Sequence, residues 1–216
     1  MGTRKIPLTN GEYYHIFNRG VDKRNIFSNK EQLNYFFKSI PLLNTTSKSK
    51  GQSLTRFDLV NGDEKLVIVV AYALLPNHFH LLLKQNVDNG IAKFMQKLGT
   101  SYTMFFNKQE GRNGALFQGK FKSNHLDGDF ALPTLSAYVN LNHKHHKIDA
   151  NKNLVKSSLS EYLDTDFGDG ICSQTEIDNI ICESNGLNEY KKYIKQASIA
   201  FANNKNIILS LKDFEF

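Results

Sequence analysis

The feature that most constrains this chain is an apolar run at residues 66–75, LVIVVAYALL, closed at once by Pro76-Asn77 and followed by HFHLLLK. A run rich in β-branched residues and free of charge suits a strand covered on both faces. It is about half of the ~20 residues that a helix needs to cross a bilayer, so it is not a membrane span. Pro-Asn marks a turn, which makes 66–75 and 78–84 the two arms of one hairpin in the middle of a sheet. Whatever else the chain forms has to cover both sides of that hairpin.

The flanking segments supply the cover. Residues 13–18 (YYHIFN) have the composition of a strand ended by Arg19-Gly20. Residues 29–43 place Leu33, Phe36, Phe37 and Ile40 on a helical stripe behind a Ser28 or Asn29 cap. Residues 44–56 are a polar, lysine-bearing loop. Residues 90–108 predict a second helix, with Ile91, Phe94, Met95, Leu98, Tyr102 and Phe105 on one side. Residues 114–126 alternate as a strand, and 132–143 predict a third helix with Leu135, Val139 and Asn142 on successive turns. Strand, helix, strand, strand, helix, strand, helix is the α+β pattern of a ferredoxin-like split βαβ, an antiparallel sheet with one added helix. Past 151 the pattern weakens to loops and a short helix at 189–202. The expected organisation is therefore a body at 1–150 and an acidic C-terminal extension at 151–216.

Charge follows the same division. The 216 residues carry a net charge of +6, with 20 basic and 11 acidic side chains in 1–150 against 7 and 10 in 151–216. A basic body is the footprint of a nucleic-acid binder, because neutralising phosphates releases counterions whatever the base sequence, and it equally suits a surface tuned for solubility. A hydrophobic share of 40% excludes disorder, collagen and coiled coil as descriptions of the whole. Cys172 and Cys182 are too few for a disulfide framework or a zinc site. The first residues lack the apolar stretch of a signal peptide, so the expected location is the cytoplasm, at the nucleoid.

His78-Phe79-His80 is the tripeptide with the most chemistry. In a strand, residues i and i+2 share a face, so both imidazoles point one way while Phe79 enters the core. Neutral imidazoles that close together suit a transition ion better than Mg²⁺. Tyr138 and Asn142, spaced i and i+4, share a helix face. The amide oxygen offers a third ligand and the phenol a nucleophile beside a phosphate, although a tyrosine among Ala137, Val139 and Leu141 also suits plain packing. Tyr102 is a second candidate nucleophile, but its i+4 neighbour, Phe106, cannot ligate. His143, His145 and His146 make either a second ion site or a solvated helix end. Arg112, Lys120 and Lys122, interleaved with Phe117 and Phe121, suit a single strand of DNA, with rings on bases and cations on phosphates. Arg19, Lys23 and Arg24 form a second basic cluster.

Four segments in the same order carry a resemblance to a known family: YYHIFNRGVDKRNIF (13–27), AYALLPNHFHLLLK (71–84), YTMFFNKQEGRNGALFQGKFKS (102–123) and LSAYVNLNH (135–143). They resemble the HUH single-tyrosine transposases of insertion sequences, and most closely the REP-associated tyrosine transposases, over about residues 10–150. The resemblance implies His78 and His80 as metal ligands, Tyr138 as the nucleophile of a Tyr-x-x-x-Asn pattern, and Asn142 as the residue completing the metal site. It implies a divalent cofactor, Mg²⁺ or Mn²⁺, a single-stranded DNA partner with a hairpin, and a homodimer. Leu75 stands where a methionine commonly precedes the proline, and His143 where proline commonly follows the asparagine; neither departure removes a chemical group. The implied activity is cleavage and rejoining of DNA through a 5′-phosphotyrosine. A catalytically inactive hairpin-binding relic and a hydrolytic metal-dependent nuclease are the other two classes open to such residues.

Overall fold

The structure, a computed structural model, describes residues 7–46, 64–126, 131–150, 154–163 and 170–202. Among them five strands form one antiparallel sheet: β1 (Tyr13–Arg19), β2 (Val67–Leu75), β3 (His78–Gln85), β4 (Lys122–His125) and β5 (Lys156–Ser157), in the order β4-β1-β3-β2-β5. The first four strands stand in the ferredoxin-like order, as the sequence pattern implies. The helices are α1 (Lys30–Leu43), α2 (Gly90–Gln109), α3 (Ala131–Asn140), α4 (Asn142–His145), α5 (Leu159–Leu163), α6 (Gln174–Glu183) and α7 (Leu187–Ala202). None of the helices described is long and apolar enough to cross a membrane.

The sheet is the middle layer of three. On one face Tyr14, Ile16, Phe79, Leu81 and Leu83 pack against Phe36 and Ile40 of α1 and against Phe94 and Leu98 of α2. On the other face Val70, Ala71, Ala73, Leu75 and Leu82 pack against Leu135, Tyr138 and Val139 of α3, with Ile177 of α6 and Tyr190 of α7. A bulge in β2 between Val69 and Ala71 sets this partition. It places Val70 and Ala71 on the same side and so shifts the phase of the strand. Ala73 and Leu75 then follow onto the second face, and the small Ala73 stands directly across from His80. The local signals at α1 are equally direct: Asn29 caps the helix, its Oδ1 accepting from the Gln32 N–H at 2.9 Å, while Gln32 reaches back to the Ser28 N–H at 2.7 Å.

The expected strand at 114–126 is mostly loop. Only β4 pairs with β1, preceded by an isolated bridge between Gly20 and Phe117. Gly114 and Gly119 both adopt φ near +88°, a left-handed backbone that breaks a ladder despite the alternating side chains. The expected helix at 132–143 is divided at Leu141 into α3 and α4. The polar loop expected at 44–56 lies, beyond residue 46, outside the described residues. The helix expected at 189–202 is α7, which starts at Leu187.

The chain after 153 contributes to the same layers. β5 pairs with the outer edge of β2, and Tyr162, Ile177, Ile180, Tyr190 and Ile194 complete the second core. Glu176 ties α6 to the sheet: its carboxylate accepts from Tyr13 Oη at 2.6 Å and from Lys84 Nζ at 2.9 Å.

Candidate metal centre and its tyrosine

The β2–β3 hairpin presents both histidines to the second face. Across the sheet Arg19 and Leu75 flank His78, while Phe17 and Ala73 flank His80. Phe79 points the other way, into the first core, as alternation requires. His80 is fully buried and His78 nearly so.

Each ring is held at Nδ1 by a different neighbour. His78 Nδ1 lies 2.6 Å from Asn77 Oδ1. The Asn77 amide is oriented by its Nδ2, which donates to the Lys23 carbonyl at 3.3 Å, so its oxygen faces the imidazole and His78 donates from Nδ1. His80 Nδ1 lies 2.8 Å from Nε2 of His15, the fully buried histidine of β1. Burial pushes His15 and His78 down to about 3, the positive charge of His146 and Arg19 adding to the effect on His78. His80 is driven well below the usual imidazole range by burial and by the surrounding histidines. All three are neutral at pH 7, the form in which an imidazole binds a metal.

With its proton on Nδ1, His78 carries a lone pair on Nε2, and that nitrogen is 3.3 Å from Asn142 Oδ1, itself an acceptor. Two acceptors facing one another at that distance suit a shared cation. Asn142 is fully buried, and its Nδ2 makes no hydrogen bond among the described residues. Turning the amide over lets Nδ2 donate to the same ring nitrogen, so Asn142 has one orientation suited to an ion and one suited to its absence. His146, at the end of α4, brings a third imidazole. Its ring is 4.7 Å from that of His78, and one ligand atom from each of His78, His80 and His146 falls within 4.8 Å of the others. His146 therefore joins the hairpin histidines, while its ring also meets that of His145 at 5.0 Å. The donor set, three imidazole nitrogens and an amide oxygen, fits a first-row transition ion better than Mg²⁺.

Tyr138 stands over this group. Its ring centroid is 6.0 Å from His80, 5.9 Å from His15 and 5.8 Å from His145, edge-on to the first two. The residue is fully buried, because α3 is sandwiched between the sheet and α6–α7, and Leu135, Ala137 and Val139 are buried with it. Tyr102 lies on the opposite face of the sheet, where its hydroxyl donates to the Ile26 carbonyl, so it has no access to the histidines.

The cations divide into two groups. Arg19 stands opposite His78, and Lys122, opposite Phe17, carries its ammonium 5.9 Å from that ring, so both flank the histidine face. Lys23 and Arg24 lie in the turn after β1, where Arg24 pairs with Asp22 at 3.6 Å. Arg112 is used internally, donating to Asn107 Oδ1 and to the Ala115 carbonyl at 3.0 Å each. Lys120 lines a groove with Met95, Phe117 and Phe121 on the α2 side. His15 was not among the expected site residues. The available signal was a polar side chain at an inward position of an otherwise apolar strand.

Fold and site together define a class: a ferredoxin-like domain with a His-x-His strand under a tyrosine-bearing helix. The chain belongs to the IS200-like transposase family, whose model matches residues 10–142, from the turn before β1 to the first residue of α4. His146 lies beyond that span. Among solved structures, a REP-associated tyrosine transposase bound to a REP hairpin is similar in fold, with a TM-score of 0.53 over 82% of this chain and 96% of that one, at 11% identity. No curated protein matches the chain.

Proposed function

We propose that this protein cleaves and rejoins single-stranded, hairpin-bearing DNA through a covalent bond to Tyr138, working as a homodimer at the nucleoid in the cytoplasm. The carrying observation is the convergence of His78, His80, His146 and Asn142 beside the Tyr138 ring. His78 and His80 would hold a divalent ion, Mn²⁺ in preference to Mg²⁺, with Asn142 and His146 completing its surroundings. Such an ion, when bound, stabilises charge developing on the phosphate oxygens and orients the ester.

In this reading the Tyr138 oxygen attacks a backbone phosphorus. The bond to the 3′ oxygen breaks, that oxygen takes up a proton as the phenol gives one up, and the 5′-phosphate remains on the tyrosine. One ester replaces another, so a strand bearing a 3′-OH reverses the step with no outside energy source. Making phenolate at pH 7 from an ordinary tyrosine costs about 4 kcal/mol, a share of the barrier that alignment of phenol and ester has to offset. Arg19 and Lys122, flanking the histidine face, supply charge for the phosphates on either side of the scissile one. The REP hairpin held by the similar structure supports a folded substrate. Because Tyr138 is covered, DNA reaches it only when α3–α4 and the sheet separate locally. That same burial favours a second reading, a hydrolytic nuclease in which water attacks and the phenol only packs.

Incubation with end-labelled hairpin oligonucleotides and Mn²⁺, followed by a denaturing gel, separates the two. The proposal expects a protein–DNA adduct that EDTA abolishes, and a Tyr138→Phe variant that binds DNA without cutting it. Cutting by Tyr138→Phe with no adduct in the parent protein supports hydrolysis instead.

A further inference from the structure

We infer that His15 is a positioning residue: by holding His80 at Nδ1 it keeps the Nε2 of His80 as a lone pair for an ion. The inference rests on the reading of His78 and His80 as ligands and adds to it a residue outside the His-x-His and Tyr-x-x-x-Asn patterns.

Two ring nitrogens 2.8 Å apart need one N–H and one lone pair between them. The rings are parallel to within 8° with centroids 5.0 Å apart, almost the full sum of the N···N distance and the two ring radii, so they meet edge to edge along the bond. Two arrangements satisfy that contact. In the first, His15 donates from Nε2 to His80 Nδ1; neutral His80 then carries its proton on Nε2 and cannot ligate there. In the second, His80 donates from Nδ1 to His15 Nε2; His80 then has its lone pair on Nε2, and His15 carries its own proton on Nδ1. Only the second is compatible with an ion on His80.

His15 does for His80 what Asn77 does for His78, and both ligands are thereby held at the same ring atom. The orientation of His15 is fixed in turn by its packing. Phe17 lies 5.0 Å from it in a near-parallel arrangement, and the Tyr138 ring meets it edge-on at 5.9 Å. A single buried imidazole therefore touches both a candidate ligand and the candidate nucleophile. A histidine that merely filled the core would be replaceable by any ring of similar size. One that sets the state of His80 is replaceable only by another hydrogen-bond acceptor.

The test uses the full chain without DNA, as wild type, His15→Gln and His15→Phe. Glutamine keeps an acceptor of similar reach, and phenylalanine keeps the ring and removes both nitrogens. Calorimetric titration with Zn²⁺ should show affinity reduced about 10- to 100-fold in His15→Phe and held within about threefold in His15→Gln, the range typical for loss of a partner behind a ligand. Imidazole ¹⁵N NMR of the zinc-loaded wild type should find the His80 proton on Nδ1. This measurement decides the matter even where His15→Phe does not fold. Equal affinity in wild type and His15→Phe, or a zinc-loaded His80 protonated on Nε2, overturns the inference alone. A wild-type chain that binds no zinc overturns the ion-site reading and this inference with it.

Discussion

Mild acid should destabilise this protein through its histidine cluster, well before its carboxylates titrate. In the unfolded chain a histidine takes up a proton near pH 6.5; in the folded chain His15 and His78 resist protonation down to about 3. Because the folded values lie below the unfolded ones, the contribution is complete above about pH 6.5 and is lost as the pH falls toward 3. At pH 5.5 each of these two groups costs about 1.4 kcal/mol, from 0.59 ln(1 + 10), and the pair about 3 kcal/mol. His80 is displaced in the same direction by burial and its imidazole neighbours, so it adds to the loss. Against a typical total of about 5–15 kcal/mol this is a large share. Urea unfolding followed by circular dichroism at pH 7.5, 6.5 and 5.5 and constant ionic strength measures it. The expected midpoints fall steeply over the lower unit, and replacing His15 by phenylalanine removes the His15 share, about 1.4 kcal/mol, of the loss. Stability that stays flat from pH 7.5 to 5.5 would show that the three imidazoles are not held neutral and buried, and the account of the site would fail with it.

Removing residues 151–216 takes away β5 and the buried Tyr162, Ile177, Ile180, Tyr190 and Ile194. At about 1.5–3 kcal/mol each these five amount to about 10 kcal/mol, so the truncated chain should lose its cooperative thermal transition; a folded truncation contradicts the layered core described here. Arg19→Gln should weaken single-stranded DNA binding and lower the slope of log affinity against log salt by about one, read by fluorescence anisotropy across a salt series; an unchanged slope removes Arg19 from the DNA contact. His146→Ala should reduce the preference for Zn²⁺ over Mg²⁺ in direct binding titrations, because one of three nitrogen donors is lost. An unaltered preference excludes His146 from the centre.

Much of this was legible in the sequence because the decisive signals are local. The apolar run and Pro-Asn turn fix the central hairpin, alternation puts His78 and His80 on one face, and the Asn29 cap starts α1 where the stripe begins. What the sequence obscured depends on contacts across the sheet. The pairing of His15 with His80 joins residues 65 apart and is set by the β1–β3 register. His146 reaches His78 only because the helix breaks at Leu141 and restarts, and nothing in AYVNLNHKHH marks that break. The 114–126 segment misleads in the opposite sense. Its side chains alternate, but Gly114 and Gly119 take left-handed backbone angles that a strand cannot hold. β5 and α5 are too short for a periodic signal, and they form because the edge of β2 and the second core receive them.

The central claim is that His78 and His80 bind one ion beside Tyr138, and anomalous scattering from crystals soaked in Mn²⁺ addresses it without reference to activity. The account predicts a single strong peak shared by Nε2 of both histidines, on the side of the sheet covered by α3. A peak bound elsewhere, or occupied soaks with no density between these two nitrogens, contradicts it.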